Sequence, residues 1–170
     1  GGAARVMSWL EEFLQTEWLD MEVFCTSVTE QWTVLSISGP NSREFLSSLT
    51  DIDISKEAFP FMKMKEGKVC GIDARIFRIS FTGELSFEIN VPSRYGLFVW
   101  NEFMKLGKKY DITPYGTESM HVLRAEKGFI IVGQDTDGSV TPKDINMDWI
   151  VSKKKEDFLG KRSFSRSDTR

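Results

Sequence analysis

From Glu84 to Val91 the chain alternates without a break: Leu85, Phe87, Ile89 and Val91 are apolar, while Glu84, Ser86, Glu88 and Asn90 are polar. A side-chain period of two puts the two sets on opposite faces of a strand. One apolar face is the habit of antiparallel sheets, and it argues against the doubly covered strands of a parallel α/β fold. Just upstream, Arg78-Ile79-Ser80-Phe81-Thr82-Gly83 has the pattern of a partner strand and a Thr-Gly turn. Residues 77–81 and 85–91 are therefore expected to be adjacent antiparallel strands, with Leu85, Phe87 and Ile89 buried and Glu88 pointing away from them.

Around this hairpin the periodicity changes repeatedly. Val6, Met7, Leu10, Phe13, Leu14 and Trp18 recur at helical spacing. Residues 23–28 and 32–38 are expected strands, rich in β-branched and aromatic residues. Gly39-Pro40 ends the second and opens a short helix bearing Phe45, Leu46 and Leu49. Residues 62–64 and 68–81 are expected strands joined by a Glu66-Gly67 turn. A helix is predicted from Pro92-Ser93 to about Lys108, and another from Thr117 as N-cap to Gly128 as stop. Residues 130–133 and 147–152 are the last expected strands. Strands and helices in mixed order predict an α+β fold with a mostly antiparallel sheet and packed helices. Residues 1–145 are assigned to one domain, and 146–170 to its final strand and the start of a further element.

Composition narrows the function. A net charge of −3 leaves no electrostatic footprint for nucleic acid. Cys25 and Cys70 fit neither a CxxC motif nor a disulfide framework, which points to an intracellular, reduced chain. One histidine and no clustered cysteines argue against a zinc site, and no metal is expected. No apolar run approaches a membrane span. The Gly1-Gly2 start and the polar tail suggest a piece of a longer polypeptide.

Catalytic motifs are scarce. There is no GxSxG, and His121 falls inside a helix with no nucleophile or orienting acid beside it. The Gly133-Gln134-Asp135-Thr136-Asp137-Gly138 segment is acidic, unsuited to phosphate, and lacks the closing glutamate of a calcium loop. The polar row of the hairpin remains. Solvated carboxylates satisfy that row on their own. A strand-held glutamate also offers two acceptor oxygens, matching a ring N–H beside an exocyclic amine, as in pterins, guanines and arginines. An aromatic such as Phe81 nearby can cover a flat ring.

The same residues carry a family likeness. Arg78 to Asn90 resembles the Y-T-G-E-x-G-[FY]-E-I hairpin of the folate-dependent aminomethyltransferase family, the glycine-cleavage T-protein group. Four further segments agree in order: Ser38-Gly39-Pro40-Asn41-Ser42, Leu123-Arg124-Ala125-Glu126-Lys127-Gly128, Gly133-Gln134-Asp135 with Thr141-Pro142, and Asp157-Phe158-Leu159-Gly160-Lys161. Runs such as Gly1-Gly2-Ala3-Ala4-Arg5-Val6 and Trp149-Ile150-Val151-Ser152-Lys153-Lys154-Lys155 are similar to a subgroup in which this domain belongs to a heterotetrameric, flavin-dependent amine oxidase.

The resemblance implies tetrahydrofolate as ligand, with residues 1–145 as part of its binding domain. Glu88 would grip the pterin. Glu84 would be a weaker contact, and Phe81 would keep a stacking face where the family has tyrosine. Ser86 replaces a common glycine, and Met120 stands where relatives often carry an arginine. The family's catalytic aspartate lies upstream of residue 1, so no catalytic residue is expected within the chain. Flavin and NAD would sit elsewhere in a cytoplasmic complex, with its other subunits as partners and neither nucleic acid nor membrane. A non-catalytic scaffold, or a general aminomethyltransferase, are the alternatives.

Overall fold

A computed structural model describes residues 2–165. Its centre is one antiparallel sheet of β1 (Trp32–Ser38), β2 (Met64–Val69), β3 (Ile72–Phe77) and β4 (Ser86–Pro92), in the order β1-β4-β3-β2. Alternation decides which face is buried. Phe87, Ile89 and Val91 of β4 are fully buried beside Leu35 and Ile37 of β1 and Ala74 and Ile76 of β3. The helix α2 (Ser42–Ser47) adds Phe45 and Leu46 to this core, and α3 (Gly96–Leu106) adds Val99 and Phe103. Phe45 and Phe103 meet edge to face with ring centroids 5.6 Å apart. This is the expected α+β fold.

The hairpin holds in outline and shifts in detail. The strands β3 and β4 are antiparallel neighbours, paired as Arg75↔Asn90, Ile76↔Ile89 and Phe77↔Glu88. The first strand stops at Phe77, so residues 78–81 are loop, not strand. The cause is a competing partner. Arg78 exchanges backbone hydrogen bonds with residues 62 and 63, which draws the chain away from β4. Leu85 is only half-buried, at the rim of the core.

The turn predicted at Glu66-Gly67 falls four residues further on. Those residues are inside β2, and the reversal is made by Cys70 and Gly71, both at positive φ (51° and 79°). Two left-handed residues in a two-residue loop match the right-handed twist of the flanking strands. Gly67 serves packing instead, since a Cβ there would lie 2.4 Å from the Ile52 side chain.

Two further helices precede and follow the strands along the chain. The first, α1 (Ala3–Thr16), has the expected apolar stripe yet buries no residue; its Phe13 ring lies 5.1 Å from Trp9 and 4.9 Å from Trp18. The last, α4 (Thr117–Lys127), is capped by Gly116, so the predicted cap Thr117 is its first helical residue, and it stops on Gly128 at φ 79°. Residues 23–28 are not a strand. No neighbour among the described residues pairs with them, and Phe24 is 95% exposed. Residues 130–133 make one isolated bridge, Val132↔Thr136, and 147–152 hold a 3-10 turn at Asp148–Ile150 in place of the last strand. Asp135 pins that region by pairing with the buried Arg124 and accepting the Ile131 N–H at 2.7 Å. The aromatic core is phenylalanine; all five tryptophans lie outside it.

Candidate functional site

Glu88 sits in the middle of β4, the strand flanked on both sides, on the face opposite Phe87 and Ile89. Its direct neighbours across the sheet are Ser36 of β1 and Phe77 of β3. The carboxyl is half-buried and has neither a hydrogen bond nor an ion pair among the described residues. Burial alone raises its pKa above the usual glutamate value. Arg75, a cation on the same face, is engaged elsewhere: Nε donates to Glu66 at 2.9 Å and the guanidinium lies over the Trp32 ring. A half-buried carboxylate with four free lone-pair sites is an acceptor waiting for donors.

The raised pKa has a definite pH signature. A folded-state pKa above the unfolded one means that the folded chain binds the Glu88 proton more tightly, so the burial penalty is present above the folded pKa and relieved below the unfolded one. Glu88→Gln is therefore expected to raise Tm at neutral pH and to lose that advantage as pH falls below the ordinary carboxylate range. Thermal unfolding of both chains across this range checks it; a constant difference in Tm would contradict the burial account.

Beside Glu88 runs a row of hydroxyls that sequence reasoning missed. Ser38 Oγ donates to Ser86 Oγ at 2.9 Å, and Ser36 Oγ lies 3.4 Å from the same oxygen. At the far end Tyr115 Oη and Ser38 Oγ share a 3.3 Å hydrogen bond. The alternation Ser36-Ile37-Ser38 hinted at a polar row, but only the β1–β4 register places it next to Glu88.

The other two expected contacts lie off the sheet. Phe81 is half-buried in the 78–85 loop, and Glu84 is exposed there, its backbone N–H bonded to Thr82 Oγ1. No hydrogen bond or ring contact joins either to Glu88 among the described residues. In the same loop Ser80 Oγ is buried without a hydrogen-bond partner among the described residues. A concavity of about 730 Å³ is lined by none of the three. It follows β1, with Ser36, Ser38, Tyr115 and Met120 on its wall, one strand away from Glu88. His121 is half-buried on α4, and among the described residues no group of acidic, histidine and cysteine side chains is placed to hold a metal. None of the described helices is long and apolar enough to cross a membrane.

Known proteins share this chain's pattern along its whole length. It is 59% identical over 170 residues, 99% of the chain, to sarcosine oxidase subunit alpha of Corynebacterium sp. (strain P-1), and 40% identical over 166 residues to that of Rhizobium meliloti (strain 1021). It is 32% identical over 140 residues, 82% of the chain, to an aminomethyltransferase of Thermoanaerobacter sp. (strain X514), covering 38% of that protein. The match spans only 18% and 17% of the two sarcosine oxidase subunits. Residues 1–155 match the family described as the GCVT N-terminal domain, and the chain belongs to it.

Proposed function

We propose that this chain is the tetrahydrofolate-binding part of a sarcosine oxidase α subunit. Folate held here would take up the one-carbon unit released on sarcosine oxidation as 5,10-methylenetetrahydrofolate. The observation that carries this reading is Glu88, a half-buried, unpartnered carboxylate on a central strand, facing away from the core. Its two oxygens fit the paired donors of a pterin edge, and the neighbouring Ser36 and Ser38 hydroxyls offer further polar contacts. Phe81 is the ring proposed to cover the pterin, and Glu84 a peripheral contact.

Tetrahydrofolate supplies the nucleophilic nitrogens; the residues of this chain bind and orient it. An aspartate from outside residues 1–170 would move protons, and flavin and NAD would be held elsewhere in a cytoplasmic complex with the other subunits. The membership of aminomethyltransferases in the family supports folate as the ligand class. The sarcosine oxidase relatives, the more similar of those compared, favour that context over a general aminomethyltransferase.

The test follows product partition in the complete enzyme. With tetrahydrofolate present, sarcosine turnover is expected to give methylene-folate in place of free formaldehyde. Formaldehyde release unchanged by saturating tetrahydrofolate would overturn the proposal. The 170-residue chain by itself is expected to bind a stable reduced folate weakly or undetectably; submicromolar affinity in calorimetry would show that it holds most of the pocket.

A further inference from the structure

The β1–β4 register fixes how closely the hydroxyl row approaches Glu88. Gly39 donates its backbone N–H to Leu85 at 2.9 Å, so Ile37↔Phe87 and Leu35↔Ile89 are the hydrogen-bonded pairs of the ladder. Ser38↔Ser86 and Ser36↔Glu88 are the alternate pairs, whose Cα atoms lie about 4.5 Å apart and whose side chains stand closest. All four side chains share the face opposite Phe87.

Proton counting gives the row a direction. Each hydroxyl has a single proton to donate. Ser38 Oγ donates to Ser86 Oγ, so in the 3.3 Å contact between Tyr115 and Ser38 the donor is Tyr115 Oη. Ser86 is 2% exposed, and among the described residues its own proton has one remaining acceptor, Ser36 Oγ at 3.4 Å. Buried hydroxyls make the hydrogen bonds open to them. The row therefore runs one way, from Tyr115 through Ser38 and Ser86 to Ser36. Ser36 is exposed and ends the row with an unused proton. A fixed donor thus stands directly across from the two acceptor oxygens of Glu88.

We propose that Ser36, oriented by Ser38 and Ser86, donates to the 4-oxo group of the pterin, and that the row thereby selects oxo over amino pteridines. This rests on the folate reading above and adds the group that discriminates among flat-ring ligands. A pterin presents its 2-amino group, its N3–H and its 4-oxo oxygen side by side: two donors, then an acceptor. Glu88 accepts the first two, and the Ser36 proton meets the third. An amino group at position 4 sets donor against donor. A site built to hydrogen-bond one ligand group rejects the analogue that lacks it. Other polar groups on this face do not make that choice. The Asn90 amide offers a donor or an acceptor equally well, and Arg75 is held by Glu66 and Trp32. Ser38 and Ser86 are positioning residues, since they act only through Ser36.

The experiment titrates the complete enzyme anaerobically with tetrahydrofolate and with its 4-amino-4-deoxy analogue. The analogue also lacks the N3 hydrogen, so Glu88 carries part of the difference in every protein; the variants isolate the share due to Ser36. Ser36→Ala is expected to weaken tetrahydrofolate binding by about three- to tenfold, as for one neutral hydrogen bond, and to leave the analogue bound no less tightly. Ser38→Ala should do the same without touching the ligand, because Ser86 is then free to accept from Ser36 and turns its proton inward. Ser38→Thr, which keeps the hydroxyl, should restore the wild-type preference. A pocket that has merely loosened would weaken both ligands together, and that result in Ser36→Ala overturns the proposal. So does wild-type affinity for tetrahydrofolate in either alanine variant. If Glu88→Ala loses tetrahydrofolate while both serine variants keep it, the folate reading stands and the selection by the row is refuted. Absence of tetrahydrofolate binding in the wild-type enzyme refutes both.

Discussion

Phe87→Ala is expected to lower the stability of the chain by about 3–5 kcal/mol, the range for truncating a buried phenylalanine. Phe87 is fully buried in β4, its ring tilted against Phe59 at 6.1 Å. The Arg43 and Arg78 guanidiniums lie 5.2 and 5.5 Å from the ring centroid. Both arginines are tied to backbone carbonyls, Arg43 to Ile54 and Arg78 to Ser86, so neither is free to follow a retreating surface. Alanine would open a cavity and remove the ring that faces two cations. Native domains are stable by only about 5–15 kcal/mol, so the loss is a large share of the whole. At about 2–4 °C per kcal/mol for a chain of this size, Tm should fall by roughly 10 °C. Phe87→Leu, which keeps most of the volume, should lose much less. Equal losses from the two variants would assign the effect to the ring face and not to packing.

Glu88→Ala in the full enzyme is expected to weaken tetrahydrofolate binding by about tenfold or considerably more. A hydrogen bond to a charged group contributes about 1.5–3 kcal/mol, and about 1.4 kcal/mol is a factor of ten. The bonds also differ in how they fail. Alanine strands two ligand donors, whereas glutamine keeps one acceptor and sets its own N–H₂ against a donor. Glu88→Gln should therefore bind almost as poorly as Glu88→Ala despite preserving shape. Oxidation of the amine should change little, and formaldehyde should accumulate in place of methylene-folate. Glu84→Ala, in the exposed loop, should have a much smaller effect. The measurement is a folate titration of all four proteins with oxidation and formaldehyde followed together. Wild-type affinity in Glu88→Ala would mean that this face of the sheet does not hold the ligand.

What the sequence made legible is what short-range periodicity controls. The alternation of β4 placed Phe87, Ile89 and Glu88 on their proper faces, and the apolar spacing of α3 and the glycine stop of α4 marked both helices closely. Where distant contacts decide, the sequence was silent. Gly67 looks like a turn glycine until Ile52 is seen pressing on it, and Cys70-Gly71 makes the turn without the asparagine or aspartate that usually announces one. Residues 23–28 have strand composition but nothing to pair with among the described residues. In the site, Glu88 was legible because its strand is regular. Ser36, Ser38 and Tyr115 were not, because three separated segments had to be brought to one face before their hydroxyls could meet.

The placement of the tryptophans has an optical consequence. Since the core is phenylalanine and the five indoles lie on the periphery, intrinsic emission from this chain reports its rim, not its interior. Trp100 looks into the β1 groove, and Trp9 and Trp18 stand on either side of Phe13 on α1 and just beyond it. Folding of the sheet alone should leave the emission red-shifted and readily quenched by soluble iodide or acrylamide. A blue shift with loss of quenching would then mark the moment at which another segment covers those surfaces, so that assembly and folding can be timed separately with one lamp.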